Sequence, residues 1–105
     1  MDPDKVIKEA KNISSISGMT QVQFVVLCYQ RAYGIKLPET FNGLLNAWKK
    51  VTKAQLKTAD LVFPNQNSVG IYIGNGQMIK APTTGEVIKV INLTQLYTAR
   101  RVINN

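Results

Sequence analysis

The chain has 105 residues, of which 45% are apolar and 18% charged, and its formal net charge is +7. This length and balance are typical of one globular domain with its own core, and they exclude a disordered chain. No apolar run approaches the ~20 residues that cross a bilayer, so we expect no membrane span. Histidine is absent, which excludes Cys-His and Ser-His catalysis within one chain because histidine is their general base.

Residues that could hold a metal or a cofactor are scarce. The chain lacks the histidine that most often ligates metals, and it has six carboxylates and one cysteine, Cys28. We therefore expect no metal site and no cofactor, and a single cysteine cannot form an internal disulfide. The first residues, Met1–Lys5, lack the basic and apolar stretches of a secretory signal. Their absence predicts a cytoplasmic protein or one assembled into a virion or a secretion particle.

A first helix is predicted from Asp2-Pro3 to about Ile13. An acidic N-cap followed by proline at the first helical position is a common helix start. Apolar residues recur at helical spacing and should form the inner face: Val6, Ile7 and Ala10. The lysines lie on the other side, as on a solvated face rather than a nucleic-acid-binding stripe: Lys5, Lys8 and Lys11.

A second helix is predicted to begin at Thr20, because Thr20 and Gln23 have the spacing of a capping box. Residues 22–33 are apolar on nearly all sides, so this helix should be central and buried. Gly34 suits the left-handed position just past its end. Cys28 lies within this run, where a lone cysteine is usually a small core residue.

A third helix is predicted from about residue 39 to residue 50. The densest cluster of positive charge overlaps its end and continues beyond it: Lys49, Lys50, Lys53 and Lys57. Basic surfaces attract nucleic acid, anionic membranes or anionic polymers, and they also keep a protein soluble. The lysines are spread along the chain, so the solubility interpretation is favoured.

The second half of the chain has the alternating pattern of strands. Strands are predicted at residues 60–63, 69–73, 77–81, 86–91 and 98–103. Gly74-Asn75-Gly76 predicts a tight hairpin, with a second turn at 83–85 and a short helical turn at 92–95. Helices followed by strands predict an α+β fold, with N-terminal helices packed on an antiparallel β-sheet of four to six strands, in a single domain spanning residues 1–105.

Four segments resemble, in the same order, the NlpC family of papain-like cysteine peptidases, which cut the peptide stems of bacterial peptidoglycan. They are the helix end Tyr29–Pro38, the strand Asp60–Phe63, the hairpin Ser68–Pro82 and the closing strand Ala99–Val102. The resemblance covers roughly residues 20–103. It implies a papain-like, NlpC-type fold.

The positions that match the family's active residues are Gln21, Ser68 and Lys80. The family's nucleophilic cysteine stands at the start of the central helix, its histidine base opens the next strand, and an orienting group, often a second histidine, follows. An amide offers no nucleophile to activate, and serine cannot accept a proton near neutrality. The resemblance therefore implies an inactive relative of the cysteine endopeptidases.

The sequence leaves several functions open. The leading one is a pseudoenzyme that binds another protein or serves as a structural module; the family suggests a phage or mobile-element assembly as one setting. A second is a noncatalytic module that binds peptidoglycan or an anionic polymer through a vestigial cleft formed by Gln21, Ser68 and Lys80. A third is a residual hydrolase, for which Ser68 and Lys80 could form a Ser-Lys dyad. Nucleic-acid binding through the net charge is least favoured.

Overall fold

The computed structural model of the chain describes residues 1–13, 18–81 and 88–103. The helical elements are α1 (Asp4–Asn12), α2 (Gln21–Tyr33), α3 (Phe41–Leu45) and a short 3-10 turn (Lys53–Gln55). The strands are β1 (Lys49–Lys50), β2 (Leu61–Phe63), β3 (Gly70–Gly74), β4 (Gln77–Lys80), β5 (Lys89–Asn92) and β6 (Thr98–Arg101). They form one antiparallel sheet in the order β1-β6-β2-β3-β4-β5, which confirms the predicted fold class. In the described ranges no helix is both long and apolar enough to cross a membrane.

A side-chain hydrogen bond lies at the start of each of the two longer helices, although the N-cap of α1 is Pro3 and not the predicted Asp2. The Asp2 carboxylate accepts a hydrogen bond from the Asp4 amide at 2.9 Å. The Thr20 hydroxyl accepts from the Gln23 amide at 3.1 Å, and the Gln23 side chain accepts from the Thr20 amide at 3.0 Å. This reciprocal pair is the predicted capping box. Gly34 ends α2 with φ at 68°, a left-handed conformation that glycine adopts at low cost.

Two apolar clusters cover the two faces of the sheet. The larger one packs α1 and α2 against Leu61, Ile71 and Ile79, among other buried residues. The smaller one lies on the opposite face and is formed by Val51, Val62, Met78 and Ala99. Successive strand residues point to opposite faces, so the neighbours Leu61 and Val62 enter different clusters. The predicted inner face of α1 is confirmed, since its three apolar residues are buried.

A buried carboxylate joins β6 to the segment that enters β2. Asp60 is only 2% exposed, and it accepts from Arg101 Nε at 2.9 Å and from Arg101 Nη2 at 2.8 Å. The Lys57 amide donates to the same carboxylate at 2.8 Å. The hydrogen bond to Asp60 raises the pKa of Arg101 above its usual value. These contacts satisfy a charge that would be costly to bury unpaired.

The prediction that α2 is buried on nearly all sides is wrong for one face. The buried residues lie on the side that meets the sheet and α1: Phe24, Val25, Cys28 and Tyr29. Val22, Val26 and Leu27 are only half-buried. The apolar run alone did not show that one side of the helix lacks a packing partner among the described elements.

The predicted third helix is also too long. α3 ends at Leu45, and Lys49–Lys50 form β1, which pairs with Arg101 and Arg100 of β6. Trp48, just before β1, has φ at 59°, a left-handed conformation that a helix cannot contain. The positive cluster therefore begins on a strand and not on a helix.

The prediction of a helical turn at 92–95 is wrong as well. Asn92 is the last residue of β5, and residues 93–95 have no regular structure. The Leu93 amide donates instead to the Gly76 carbonyl at 2.8 Å, which continues the pairing of β5 with β4 by one residue. The predicted turn at 83–85 and the start of the strand predicted at 86–91 lie outside the described residues.

Candidate functional site

The start of α2 faces the segment that leads into β3. Gln21 is the first residue of α2, and its side chain contacts that segment with both of its polar atoms. The Oε1 atom accepts from the Val69 amide at 3.0 Å, and the Nε2 atom donates to the Asn67 carbonyl at 3.3 Å. These two backbone groups flank Ser68. The structure thus brings Gln21 and Ser68 together, with the Gln21 amide bridging helix and strand.

Lys80 lies on the neighbouring strand. Ile71 pairs with Ile79, which places Lys80 opposite Gly70, two residues beyond Ser68. A Cβ added at Gly70 would meet Met78 Cε and would lie 3.0 Å from the Cβ of Lys80, so Met78 and Lys80 both cover this glycine, on the face of the smaller cluster. The strand pairing thus places Lys80 beside the segment that Gln21 contacts, and the convergence of all three side chains stays a prediction.

The side chains of Ser68 and Lys80 make no hydrogen bond to each other in the ranges that the structure describes. A Ser-Lys dyad needs the amine within reach of the hydroxyl. The residual-hydrolase alternative consequently rests on the sequence alone. The described residues also contain no group of three or more histidine, cysteine, aspartate or glutamate side chains that could hold a metal ion.

Cys28 lies in the core and not in the cleft. It is fully buried, and burial raises the pKa of its thiol to about 12, with a further increase from the charge of Glu9. The nearby Arg31 lowers this pKa only in part. A thiol that stays protonated and has no solvent access cannot act as a nucleophile near neutrality, so the prediction that Cys28 is a core residue is confirmed.

The positive cluster predicted from the sequence is exposed. All four of its lysines are exposed: Lys49, Lys50, Lys53 and Lys57. The sequence did not indicate which residues lie beside this cluster. In the structure, Lys49 and Lys50 pair with Arg101 and Arg100 across β1 and β6. No local pattern links these residues, which lie about half the chain apart. The sequence also did not indicate the contacts of Gln21. Their partners are backbone groups, which are the same in every residue type and therefore leave no pattern in the sequence.

A helix whose start faces the first residues of a strand in an antiparallel sheet defines the class of this protein as a papain-like α+β domain. The model of the "NlpC/P60 family" matches residues 14–105. The chain therefore belongs to the NlpC/P60 family.

Known relatives agree with this assignment. The chain is 36% identical over 78 residues to the probable endopeptidase NlpC homolog of Haemophilus influenzae, a match that covers 73% of this chain and 42% of the relative. The chain thus spans less than half of that relative's length.

Solved structures show the same fold. The NlpC/p60 domain of the peptidoglycan hydrolase SagA superposes with a TM-score of 0.85 at 24% identity, covering 97% of this chain and 100% of SagA's. RipD of Mycobacterium tuberculosis, described as a non-catalytic NlpC/p60 domain protein with an adaptation to peptidoglycan-binding function, superposes with a TM-score of 0.81 at 21% identity, covering 96% and 97%. At these identities the likeness concerns the fold alone.

Proposed function

We propose that this chain is a catalytically inactive NlpC/P60 domain that acts as a noncatalytic binding module. The observation that carries the proposal is the Gln21 side chain. It occupies the position that the resemblance assigns to the nucleophile, and it uses both polar atoms to hold the backbone on either side of Ser68. The α2 start thus has a structural role where a hydrolase would need a reactive one.

The chemistry of the substituted residues supports inactivity. Peptide cleavage by a cysteine peptidase needs a thiolate and a base that later protonates the leaving amine. A carboxamide is a poor nucleophile and a poor base. The chain has no histidine, and its one thiol is buried away from the vestigial cleft.

The ligand that this proposal favours is peptidoglycan or a related anionic wall polymer. Ser68 and Lys80 are half-buried, and their hydroxyl and ammonium groups suit the carbonyl and carboxylate oxygens of a peptide stem. The net charge of +7 favours association with an anionic polymer. RipD supports the idea by analogy, as a protein of similar fold described as non-catalytic and adapted to peptidoglycan binding. Binding to another protein, including in a phage or mobile-element assembly, stays the prediction made from the sequence.

Purified cell-wall sacculi and the purified chain provide the test. We expect the chain to sediment with the sacculi, to release no stem peptides detectable by mass spectrometry, and to lose affinity severalfold on Lys80→Ala. Lys36→Ala, at an exposed lysine after α2, is the matched control and should bind as the parent does. Release of stem peptides would overturn the inactive assignment. Failure to sediment, with capture of one defined protein instead, would favour the protein-binding prediction.

A further inference from the structure

A second polar site lies where the end of α3 meets β1 and the start of β6. We call it the β1–β6 corner. It surrounds an open cavity of about 400 Å³ lined by Leu45, Asn46, Lys50, Tyr97, Thr98 and Arg100. In the sheet, β2 lies between β6 and β3, so the corner is separate from the vestigial cleft and shares no residue with it.

The corner has positive charge without a matching carboxylate. Lys50 pairs directly with Arg100, and Lys49 with Arg101, although like charges placed opposite each other destabilise a sheet. Asp60 neutralises Arg101. Among the described residues, the Arg100 guanidinium donates one hydrogen bond, from Nη1 to the Trp48 carbonyl at 3.5 Å. The Lys50–Arg100 pair therefore lacks a counter-charge within the described chain.

Two polar atoms in the lining have no hydrogen-bond partner in the described part of the chain. They are Arg100 Nε and Thr98 Oγ1, and both are buried. Buried polar atoms nearly always have a hydrogen-bond partner, so two such atoms without a partner, on residues close together in β6, need an explanation. Thr98 and Arg100 are two positions apart on β6 and share one face, the face that borders the cavity. Both residues line the cavity, so a ligand bound there would lie beside the two side chains that carry these atoms.

Two exposed aromatic residues precede the strands of this corner: Tyr97 comes directly before β6 and Trp48 directly before β1. Tyr97 is 54% exposed and lines the cavity. Trp48 is 41% exposed and has a positive φ, a backbone conformation that is unfavourable for a bulky residue and that recurs at functional sites as well as in turns. Exposed aromatic rings beside cations are typical of binding surfaces.

We propose that the β1–β6 corner binds a phosphate group. Arg100 and Lys50 would supply the charge, Thr98 would donate from its hydroxyl, and the rings of Tyr97 and Trp48 would contact the group that the phosphate carries. Phosphate fits better than a carboxylate because the lining offers donors from three side chains, and a phosphate group has more oxygens to accept from them. A carboxylate, with two oxygens in one plane, is satisfied by a single guanidinium. The site is independent of the proposed wall-binding function.

Inorganic phosphate, titrated into the ¹⁵N-labelled chain at constant ionic strength and followed by NMR, tests the proposal. We expect saturable shifts at Lys50, Tyr97, Thr98 and Arg100, and at least a tenfold loss of affinity in Lys50→Ala and in Arg100→Lys. Lys50 is exposed and Arg100→Lys keeps the charge, so both variants should fold. Lys5→Ala, at an exposed lysine of α1, is the control for general charge effects and should bind as the parent does.

Two phosphate esters then identify the source of the group. Tighter binding of adenosine 5′-monophosphate than of glycerol 3-phosphate, with the difference abolished by Tyr97→Ala, would assign a nucleotide. Equal binding of the two would assign a phosphate without a planar ring. The proposal is overturned if no probe gives saturable shifts at the corner, if acetate binds as tightly as phosphate, or if Lys5→Ala weakens binding as much as Lys50→Ala.

Discussion

Two polar junctions in this fold connect segments that are far apart in the sequence, and they differ in almost every other respect. The Asp60–Arg101 junction is charged, buried and bidentate. The Gln21 junction is neutral and half-buried, and its partners are backbone groups next to Ser68. The first junction lies in segments where the resemblance to the NlpC family is retained. The second lies at a position that the resemblance assigns to the family's nucleophile.

The difference teaches that the scaffold and the chemistry of this fold can be separated. Asp60 holds β6 to the segment before β2 and makes no contact with Gln21 or Ser68 in the described residues, so its role is structural. Gln21 stands at the position that the resemblance assigns to a nucleophile, and here it links α2 to the entry of β3. A neutral amide can keep that contact without any proton transfer. The architecture of the family is thus compatible with a neutral amide at this position.

The largest expected effect is a difference in thiol reactivity between two positions of α2: Cys28, and position 21 when it carries a Gln21→Cys substitution. Cys28 should react with iodoacetamide only when the chain unfolds, hence at least ~10³-fold more slowly in the native protein than in urea, as expected from the small unfolded fraction of a stable domain. A Gln21→Cys variant that also carries Cys28→Ser places the thiol at a helix start, which stabilises a thiolate, and should react rapidly in the native state. Mass spectrometry of the labelled chain measures both rates.

Rapid native labelling of Cys28 would show that the core around α2 opens easily. Slow labelling of the Gln21→Cys variant would show that the α2 start does not stabilise a thiolate. Position 21 would then not be suited to a reactive group, and the contrast drawn between the Gln21 and Asp60 junctions would fail.

The next effect is on the charged junction. Asp60→Ala leaves Arg101 without its carboxylate partner, and breaking a buried pair in this way costs about 3–5 kcal/mol of the free energy of unfolding. Urea denaturation measures the loss. Glu39→Ala is the matched control, because Glu39 is an exposed acid and should change stability by less than ~0.5 kcal/mol. Equal stability of the two variants would contradict the structural role of Asp60.

The smallest effect is expected at the neutral junction. Gln21→Ala removes two hydrogen bonds. The exposed Asn67 carbonyl can bind water instead, whereas Val69 is buried and its amide loses its partner, so the expected loss is about 1–2 kcal/mol. Gln30→Ala, at an exposed glutamine of the same helix, serves as the control. The two junctions share no residue, so the double variant with Asp60→Ala should be additive within about 0.5 kcal/mol. A loss at Gln21 as large as at Asp60 would erase the distinction between the two junctions.

The sequence predicted those features whose cause lies within a few residues. The Thr20–Gln23 capping box, the left-handed Gly34 and the Asn75-Gly76 hairpin are local, and the structure contains each of them. The alternation of the strands likewise follows from the two faces of the sheet. These elements determine most of the fold.

What the sequence did not predict depends on distant partners. The early end of α3 follows from the conformation of Trp48 and from pairing of β1 with β6, and neither has a local pattern. The sequence also grouped Lys50 with nearby lysines, whereas its cross-strand partner is Arg100. The positions of the vestigial cleft came from the resemblance, which could not show that Gln21 bridges two backbone groups.

Strand β1 consists of two exposed lysines and forms one end of the sheet. An open strand edge is a template on which a second chain can add and start aggregation, and short, lysine-bearing edges are a common defence against it. Another chain that docked along β1 would have to bring its backbone against two ammonium groups backed by Arg100 and Arg101. The same charges that make the β1–β6 corner attractive to an anion thus protect this border of the sheet from self-assembly.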